Sequence, residues 1–449
     1  MTAPITYPKI VITLSDDSTL TWQDTEVIEA DVVEEMHPIS AILPLSVLNV
    51  KVYDANNDFS IFDENETLAE RQTIMLYEII DGTEYFLGKY YLDDWDSPTA
   101  QTLQLRAVDI IGVIDTTDFD GYFWDTLTDL EDILDIVLAG IDVTYDLAAT
   151  LQDVQLKGYI KQGSVREALH QVCFAAGAAV VTARSENIEI IEAPTPYSDA
   201  WHQLDIGVND KFMDQPTKLK PLVTGIVLVS HTYERKEDLE IIYEDVLEPG
   251  TYKIIFDEPA EIISISGATY SNYVVIGAED GSAVGTEDGL MIAAFANYEF
   301  GPNSLTVTVL DPGGTVTIQG YVYRDNKREH SFSEELVSFV KDNVLKIQDA
   351  TLVGPHNADA VLARLRDYYR GRYTHEMKLV PMTGESVYGE GVYGEGVYGW
   401  STVGVRIGQM VSIASLQGPY MRAVLEKSNL NLTGGFLVTM TAVGVKSSS

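Results

Sequence analysis

Short runs of alternating apolar and polar residues dominate the first 115 positions. Residues 47–53 alternate as a half-buried strand does, and similar β-rich runs occupy 10–14, 27–33 and 103–114. Asp81 and Gly82 separate two more runs, 74–80 and 85–92, and this dipeptide favours a tight β-hairpin. The pattern therefore predicts about seven strands without a convincing helix, as in an antiparallel barrel or sandwich.

From residue 116 the apolar spacing becomes helical. One helix is predicted over 127–138, with Thr126 and Asp129 as a capping box. A clearer one begins at the capping box of Ser164 and Glu167, and its apolar stripe ends at Gly177. A β-hairpin across residues 185–187 follows, so the spacing predicts a compact α/β module over 116–200.

The remainder returns mostly to strands. Residues 224–230 read as a strand, and 246–324 contain short strands with Gly-rich turns that indicate a β-sandwich. Amphipathic helices are predicted over 334–346 and 358–369. The segments 405–414, 421–425 and 436–445 are again β-rich.

A five-residue repeat interrupts the last part of the chain. The sequence VYGEG at 387–391 recurs at 392–396 and resumes at 397–399. This period fits neither a helix nor a strand, and glycine at that density disfavours regular structure. We expect a long, mobile hairpin loop within 384–400. The alternative is a tyrosine-bearing arm that grips a neighbouring protein or narrows a channel.

The net charge of the chain argues against one class of function. The 449 residues include 69 acidic and 29 basic side chains, a formal net charge of -40. Such a surface repels phosphate, which argues against a sequence-specific nucleic-acid binder. Two interpretations stay open: an acidic surface that confers solubility, or a conduit lined with carboxylates through which DNA slides. Neither a signal peptide nor an apolar membrane-spanning run is visible, so synthesis in a cytoplasm is expected.

Candidate metal and sugar sites are weak. Residues 54–58 place Asp54, Asn56 and Asp58 as in an EF-hand calcium loop, but Phe59 replaces the required glycine and Asn65 the closing glutamate. We therefore expect a turn there. The acidic cluster at 93–96 could bind a sugar or a cation, but such clusters arise by chance in a chain this acidic.

Candidate catalytic residues are equally weak. Glu35, Asp93 or Asp118 could form a glycosidase pair with a second acid, but sequence spacing does not show their separation. His170 and Cys173 lie three positions apart on one predicted helix, where the single cysteine falls on the apolar stripe. The segment 384–389 misses the Gly-x-Ser-x-Gly elbow by one residue. We predict no catalytic, cofactor-binding or metal-binding residue, and hence no enzyme.

Several phrases of the sequence resemble one family of proteins. They resemble, in order and spacing, the tail-tip or baseplate hub proteins of phages and prophages of Gram-positive bacteria. The residues that carry this resemblance are HPIS at 37–40 and LPLS at 43–46, then 88–95, 109–112, 158–160, 166–177 and NLNLTGGF at 429–436. The match is best across about 27–200 and again across 400–445, and the repeat at 387–399 is not part of the family pattern.

The resemblance implies a structural role in a virion. Hubs of this kind carry two tube-like barrels per subunit and form a trimeric ring on the tail tube, through which DNA passes without specific binding. The implied fold is mainly β with α+β elements. The implied domains are a first barrel at 1–115, the α/β module at 116–200, and a second barrel split between 201–245 and 325–449 by the sandwich at 246–324.

The resemblance also implies the partners and the location. These are a homotrimer, a tail tube or distal tail protein, a tape-measure protein and tip or fibre proteins, assembled in the host cytoplasm without a membrane span. Many relatives carry a C-terminal peptidase or lysozyme domain, which is not expected here, so cell-wall hydrolysis would belong to another protein. Two alternatives stay open: a carbohydrate-binding adhesin, with 246–324 as its lectin-like part, and a peptidoglycan-cleaving hydrolase.

Overall fold

The structure is a computed structural model of the chain. It describes residues 6–39, 42–54, 59, 67–99, 101–197, 204–207, 211–213, 217–256, 258–268, 276–277, 283–284, 295–300, 304–309, 314–333, 341–379, 405–415, 418–433 and 438–446. The fold is mainly β with short helices, which confirms the predicted fold class. The repeat at 387–399 and the rest of 384–400 lie outside the described residues.

The first part of the chain supplies seven strands. A short 3-10 helix at Asp24–Glu26 lies between the second and third. The strands are β1 (Thr6–Thr13), β2 (Thr19–Gln23), β3 (Val27–Glu35), β4 (Val47–Tyr53), β5 (Thr73–Ile80), β6 (Thr83–Thr99) and β7 (Thr102–Val108). The hairpin predicted at Asp81 and Gly82 joins β5 to β6, and both turn residues have positive φ, as a tight type I′ turn requires.

The α/β module alternates short strands with three helices, and a 3-10 turn at Ala149–Leu151 lies between β10 and β11. Its elements are α1 (Ile110–Asp115), β8 (Asp118–Phe119), β9 (Tyr122–Asp129), α2 (Leu130–Val137), β10 (Tyr145–Leu147), β11 (Gln155–Ile160), β12 (Gly163–Ser164), α3 (Val165–Ala176), β13 (Ala178–Val181) and β14 (Ile188–Glu192). The capping box predicted at Ser164 and Glu167 is present, and Gly177 ends α3 in the left-handed conformation. The predicted hairpin is also confirmed, because β13 and β14 pair in antiparallel register.

The rest of the described chain is almost all strand. Its elements are β15 (Leu204–Ile206), β16 (Lys211–Met213), β17 (Lys218–Leu219), β18 (Gly225–Arg235), β19 (Glu240–Leu247), β20 (Gly250–Ile255), β21 (Ala260–Ala268), β22 (Ile276–Gly277), β23 (Ala283–Val284), β24 (Phe295–Phe300), β25 (Ser304–Val309), β26 (Gly314–Ser333), β27 (Val344–Ile347), α4 (Ala358–Tyr369), β28 (Tyr373–Leu379), β29 (Met410–Ser415), β30 (Gly418–Asn431) and β31 (Val438–Lys446). None of the helices in the described ranges is long and apolar enough to cross a membrane.

One sheet of 14 strands joins the two ends of the chain. Its main path runs β16-β28-β31-β30-β3-β4-β7-β6-β5-β1-β2, with β17 also on β28, and with β29 on β30 and β15 on β29. The junction is the antiparallel pair of β3 and β30, in which Val32 faces Leu430. Strands from both expected barrels therefore share one sheet, although β18, β27 and the end of β26, which fall within the expected second barrel, lie in another sheet. The closure of each half into a barrel stays a prediction.

A common core supports this sheet. Buried apolar side chains from both ends pack in one cluster, among them Ile10, Leu48, Leu76, Met377 and Leu430. A second cluster lies beneath α1 to α4 and includes residues of β18. The two ends are thus held together by shared packing as well as by the β3–β30 ladder.

The inserted segment forms a separate layer pair. The long strand β26 pairs with β18 along 323–333 and with β19 and β21 along 314–322. A second sheet, β20-β25-β24, packs its buried face on this part of β26 through Leu305, Val307, Val316 and Ile318. The predicted domain limits stay a prediction, since strand pairing alone does not define them.

Three sequence-based element predictions were wrong in part. The apolar run 103–114 is not one strand, because Asp109 accepts hydrogen bonds from the backbone of Ile111 and Gly112 and caps α1. The helix expected from 127 begins at Leu130, because the preceding residues pair with β11. A helix was expected over 334–346, but the described part of this segment is not helical. Residues 344–347 form β27, which pairs in parallel with β18.

Candidate functional site

The calcium-loop candidate is a turn where the structure describes it. Asp54 is buried, its backbone N–H donates to the Gln101 carbonyl at 2.9 Å, and its carboxylate accepts from the Phe59 backbone at 3.1 Å. Residues 55–58 lie outside the described part. Among the residues that the structure describes, no group of three His, Cys, Asp or Glu side chains could hold a metal ion.

The three candidate glycosidase acids lie on separate elements. Glu35 on β3 forms an ion pair with Lys427 on β30, and Asp93 on β6 forms one with Arg106 on β7. Asp118 is exposed on β8. The ion pairs stabilise strand pairing, and the structure gives none of the three a place in the large cleft described below.

The His170 and Cys173 pair does not form a nucleophile and its base. Cys173 is 2% exposed, and burial raises the pKa of its thiol to about 12, so it stays protonated at neutral pH. His170 lies on the other side of the stripe, beside the Phe174 ring, and lines the cleft. The segment 384–389 lies outside the described residues.

The pairing of β18 with β26 creates a serine–histidine–aspartate arrangement that sequence reasoning missed. The Ser230 hydroxyl lies 3.0 Å from His330 Nε2, and His330 Nδ1 lies 3.5 Å from the Asp359 carboxylate. Ser230 is 1% exposed, and its hydroxyl also donates to the Arg328 carbonyl at 3.3 Å. A nucleophile must face its substrate, so this arrangement serves to join β18, β26 and α4. Ser230 and His330 are 100 positions apart, so no local motif could have revealed the arrangement.

A cleft of about 750 Å³ opens between the α/β module and the sheet of β18 and β26. Two ion pairs lie at the cleft: Arg166 with Asp115 at 3.0 Å, and Asp325 with the buried His231 at 2.8 Å. The Tyr233 ring stacks on His231 and packs edge-on against Tyr159. These contacts stabilise the junction of the two layers.

A buried ion pair fastens the 14-stranded sheet to the α/β module. Arg184, from the β13–β14 turn, donates from Nε and Nη2 to the two carboxylate oxygens of Glu34 on β3, at 3.1 and 3.3 Å. The two side chains are 5% and 0% exposed. Burial raises the pKa of the nearby Glu78 to about 7, and the Arg184 charge acts in the opposite direction.

Another buried carboxylate, Glu426, lies at a β-bulge in β30. It accepts a hydrogen bond from the Tyr368 hydroxyl at 2.7 Å and lies 3.7 Å from His37 Nδ1. The bond to Glu426 raises the pKa of His37. The bulge is where β30 passes from pairing with β29 to pairing with β3, so these polar contacts fix the junction of the two ends.

The fold is shared with tail proteins of known structure. The 43 kDa tail protein of prophage MuSo2 from Shewanella oneidensis matches 98% of this chain over 98% of its own, with 10% identity and a TM-score of 0.50. The chain has the fold of a prophage tail protein. The tail protein from Neisseria meningitidis MC58 also matches 97% of this chain over 96% of its own, with 9% identity and a TM-score of 0.50. No protein-family model and no curated protein sequence matches it.

Proposed function

We propose that this chain is a structural hub of a phage tail tip or baseplate and that it acts as a homotrimeric ring. The observation that carries the proposal is the end-to-end match with prophage tail proteins of similar length. A match over the whole chain favours a shared architectural role over the reuse of one domain. The hub continues or closes the tail tube and belongs to the virion after assembly in the host cytoplasm.

The side chains that could suggest catalysis support a structural role. Glu35 and Asp93 hold neighbouring strands, Cys173 is packed in the core, and Ser230 is enclosed between β18 and β26. We therefore propose a protein without catalytic activity or cofactor. Its partners are a tail tube or distal tail protein, a tape-measure protein and tip or fibre proteins.

The net charge of -40 suits passage of DNA. Carboxylates that face a central channel repel the phosphate backbone, so DNA slides through without being held. In a gel-shift assay at low salt, the purified protein should leave double-stranded DNA unretarded. Retention that weakens as salt rises would contradict the proposed channel lining.

Mass measurement with negative-stain imaging of the purified full chain tests the ring. We expect a particle of three chains with a central hole, at concentrations that a virion component reaches during assembly. A stable monomer at high concentration would overturn the hub proposal. Clearing of cell walls in a zymogram would favour the hydrolase alternative, and glycan binding by the chain would favour the adhesin.

A further inference from the structure

The strand β2 is an uncharged free edge of the 14-stranded sheet. Among the described residues it pairs with β1 alone, and its five residues are Thr, Leu, Thr, Trp and Gln. Edge strands that stay solitary are usually protected by charges, proline or bulges. The absence of all three from β2 is unusual in a chain in which 22% of the residues are charged.

The backbone of β2 presents unpaired groups at Thr21. The Leu14 backbone N–H donates to the Ser18 carbonyl at 2.8 Å, so Leu14 and Ser18 form the first hydrogen-bonded residue pair of the β1–β2 hairpin. Bonded and non-bonded pairs alternate in an antiparallel ladder, so Leu20 and Trp22 bond to β1. The N–H and C=O of Thr21 therefore point away from β1, and its side chain is exposed.

At the opposite end of the sheet, β17 is a second edge strand, and among the described residues it pairs with β28 alone. The Lys220 backbone N–H donates to the Arg372 carbonyl at 2.7 Å. By the same alternation the backbone of Leu219 points outward, and its side chain is 58% exposed. This exposed apolar residue lies beside unpaired backbone groups at the end of the sheet.

The two edges carry opposite charge. Exposed acids flank β2 on both sides: Asp16 and Asp17 before it, and Asp24 and Glu26 after it. Around β17 three charged residues are basic, namely Lys218, Lys220 and Arg372, and the partner strand β28 carries one exposed acid, Glu376. With only 29 basic residues in the chain, this mainly basic edge and the acidic edge at β2 favour head-to-tail contact between copies.

We propose that the β2 edge of one copy pairs with the β17 edge of a second copy. Two different surfaces meet in such a contact, and repeating it closes a ring when the rotation permits. This inference rests on the proposed trimer and names the surfaces that build it. Backbone hydrogen bonds between Thr21 and Leu219 extend the sheet across the subunit boundary, and the charges select the partner edge.

Cross-linking tests the pairing directly, because the native Cys173 is buried and its thiol stays protonated. The variant Thr21→Cys/Leu219→Cys, treated with a short bismaleimide, should give covalent species that end at three chains. Neither Thr21→Cys nor Leu219→Cys alone should cross-link. Dimers from Thr21→Cys alone would overturn the proposal, because they show a symmetric contact of like edges.

Charge reversal supplies an independent test. Asp16→Lys/Glu26→Lys should raise the concentration for half-assembly about tenfold or more at low salt, as should Lys218→Glu/Lys220→Glu. Combining the four changes should restore assembly. The control Asp132→Lys/Glu186→Lys, on exposed acids of the α/β module, should leave assembly unchanged.

The outcomes separate this inference from the hub proposal. A trimer by mass that neither cross-links nor responds to charge reversal overturns the edge pairing and leaves the hub proposal standing. A monomer by mass in the unmodified protein overturns both. Circular dichroism on each variant checks folding, because Lys220 is half-buried while the other changed side chains are exposed.

Discussion

At the scale of single residues, Arg184 has the most demanding environment. It reaches from a turn of the α/β module to Glu34 in the 14-stranded sheet, and both side chains are almost fully buried. A buried ion pair adds little over an apolar pair, but removing one partner leaves the other charge unpaired. The pair therefore fixes how the two layers meet. Loss of either residue leaves the other buried without its partner and destabilises the fold.

Replacement of Arg184 should be costly for that reason. We expect Arg184→Met to lower the free energy of unfolding by about 3–5 kcal/mol, because Glu34 is left buried and charged. Chemical denaturation measures the change. Arg106→Met is the matched control: it removes the half-exposed pair with Asp93 and should cost about 1 kcal/mol or less. Equal costs for the two variants would contradict this account.

Glu78 makes a pH prediction of defined sign. Its pKa is raised from the ordinary 4.5 to about 7 in the folded protein. The folded state therefore holds the proton more tightly, and the stability due to Glu78 is lost as pH rises from about 4.5 to about 7. Glu78→Gln removes this loss. Between pH 4.5 and pH 8, the free energy of unfolding of the variant should therefore rise by up to about 3 kcal/mol relative to that of the unmodified protein.

Thermal unfolding of Glu78→Gln and the unmodified protein at both pH values measures the difference. A Glu78→Gln variant whose stability difference from the unmodified protein is independent of pH would contradict this account.

At the scale of elements, α3 shows how local sequence and tertiary contact combine. Its capping box and its C-terminal glycine were both predictable, because each acts within a few residues along the chain. The surroundings of Gly177 were not. The Arg364 guanidinium from α4 occupies the space that a side chain at Gly177 would need, and it donates to the Phe174 carbonyl at 3.3 Å.

Two glycines separate these effects. Gly177 and Gly140 both have φ near +80°, and nothing lies within 4 Å of a side chain built at Gly140. We expect Gly140→Ala to cost about 1 kcal/mol from backbone strain and Gly177→Ala to cost clearly more, because Arg364 is displaced. In an Arg364→Ala background the excess should vanish. Denaturant titration of the four variants gives the coupling, and additive costs would contradict the contact.

Two of the three wrong element predictions share one cause. The start of α2 and the segment 344–347 have local patterns that favour helix, but β11 and β18 offer open backbone edges to them. Pairing with a strand distant in sequence replaced the local preference. Sequence patterns over a short window contain no information on which edge lies nearby.

At the scale of the whole molecule, the two ends of the chain should be one cooperative unit. Val32 and Leu430 face each other in the β3–β30 ladder, and both are fully buried in the shared core. We expect Leu430→Ala to cost about 2–5 kcal/mol. Hydrogen exchange should then accelerate in β5 and in β31 alike, although these strands lie far apart in the sheet.

Leu247→Ala is the matched control for this coupling, since Leu247 belongs to the core of the inserted segment. It should accelerate exchange in β20 and β25 and leave β5 unchanged. Faster exchange confined to β30 and β31 in Leu430→Ala would show that the two ends are separate units joined only by a ladder.

The sequence by itself determined the mainly β class, the hairpin at Asp81 and Gly82, the limits of α3 and α4, and the resemblance to tail hub proteins. Each depends on residues close together in the chain, where turn geometry, capping and apolar spacing act. Only the tertiary structure decided that β3 pairs with β30, that Arg184 lies buried against Glu34, and that acidic and basic edges end one sheet. These features need contacts between residues 100 to 400 positions apart, and such contacts form only when the chain buries a common core.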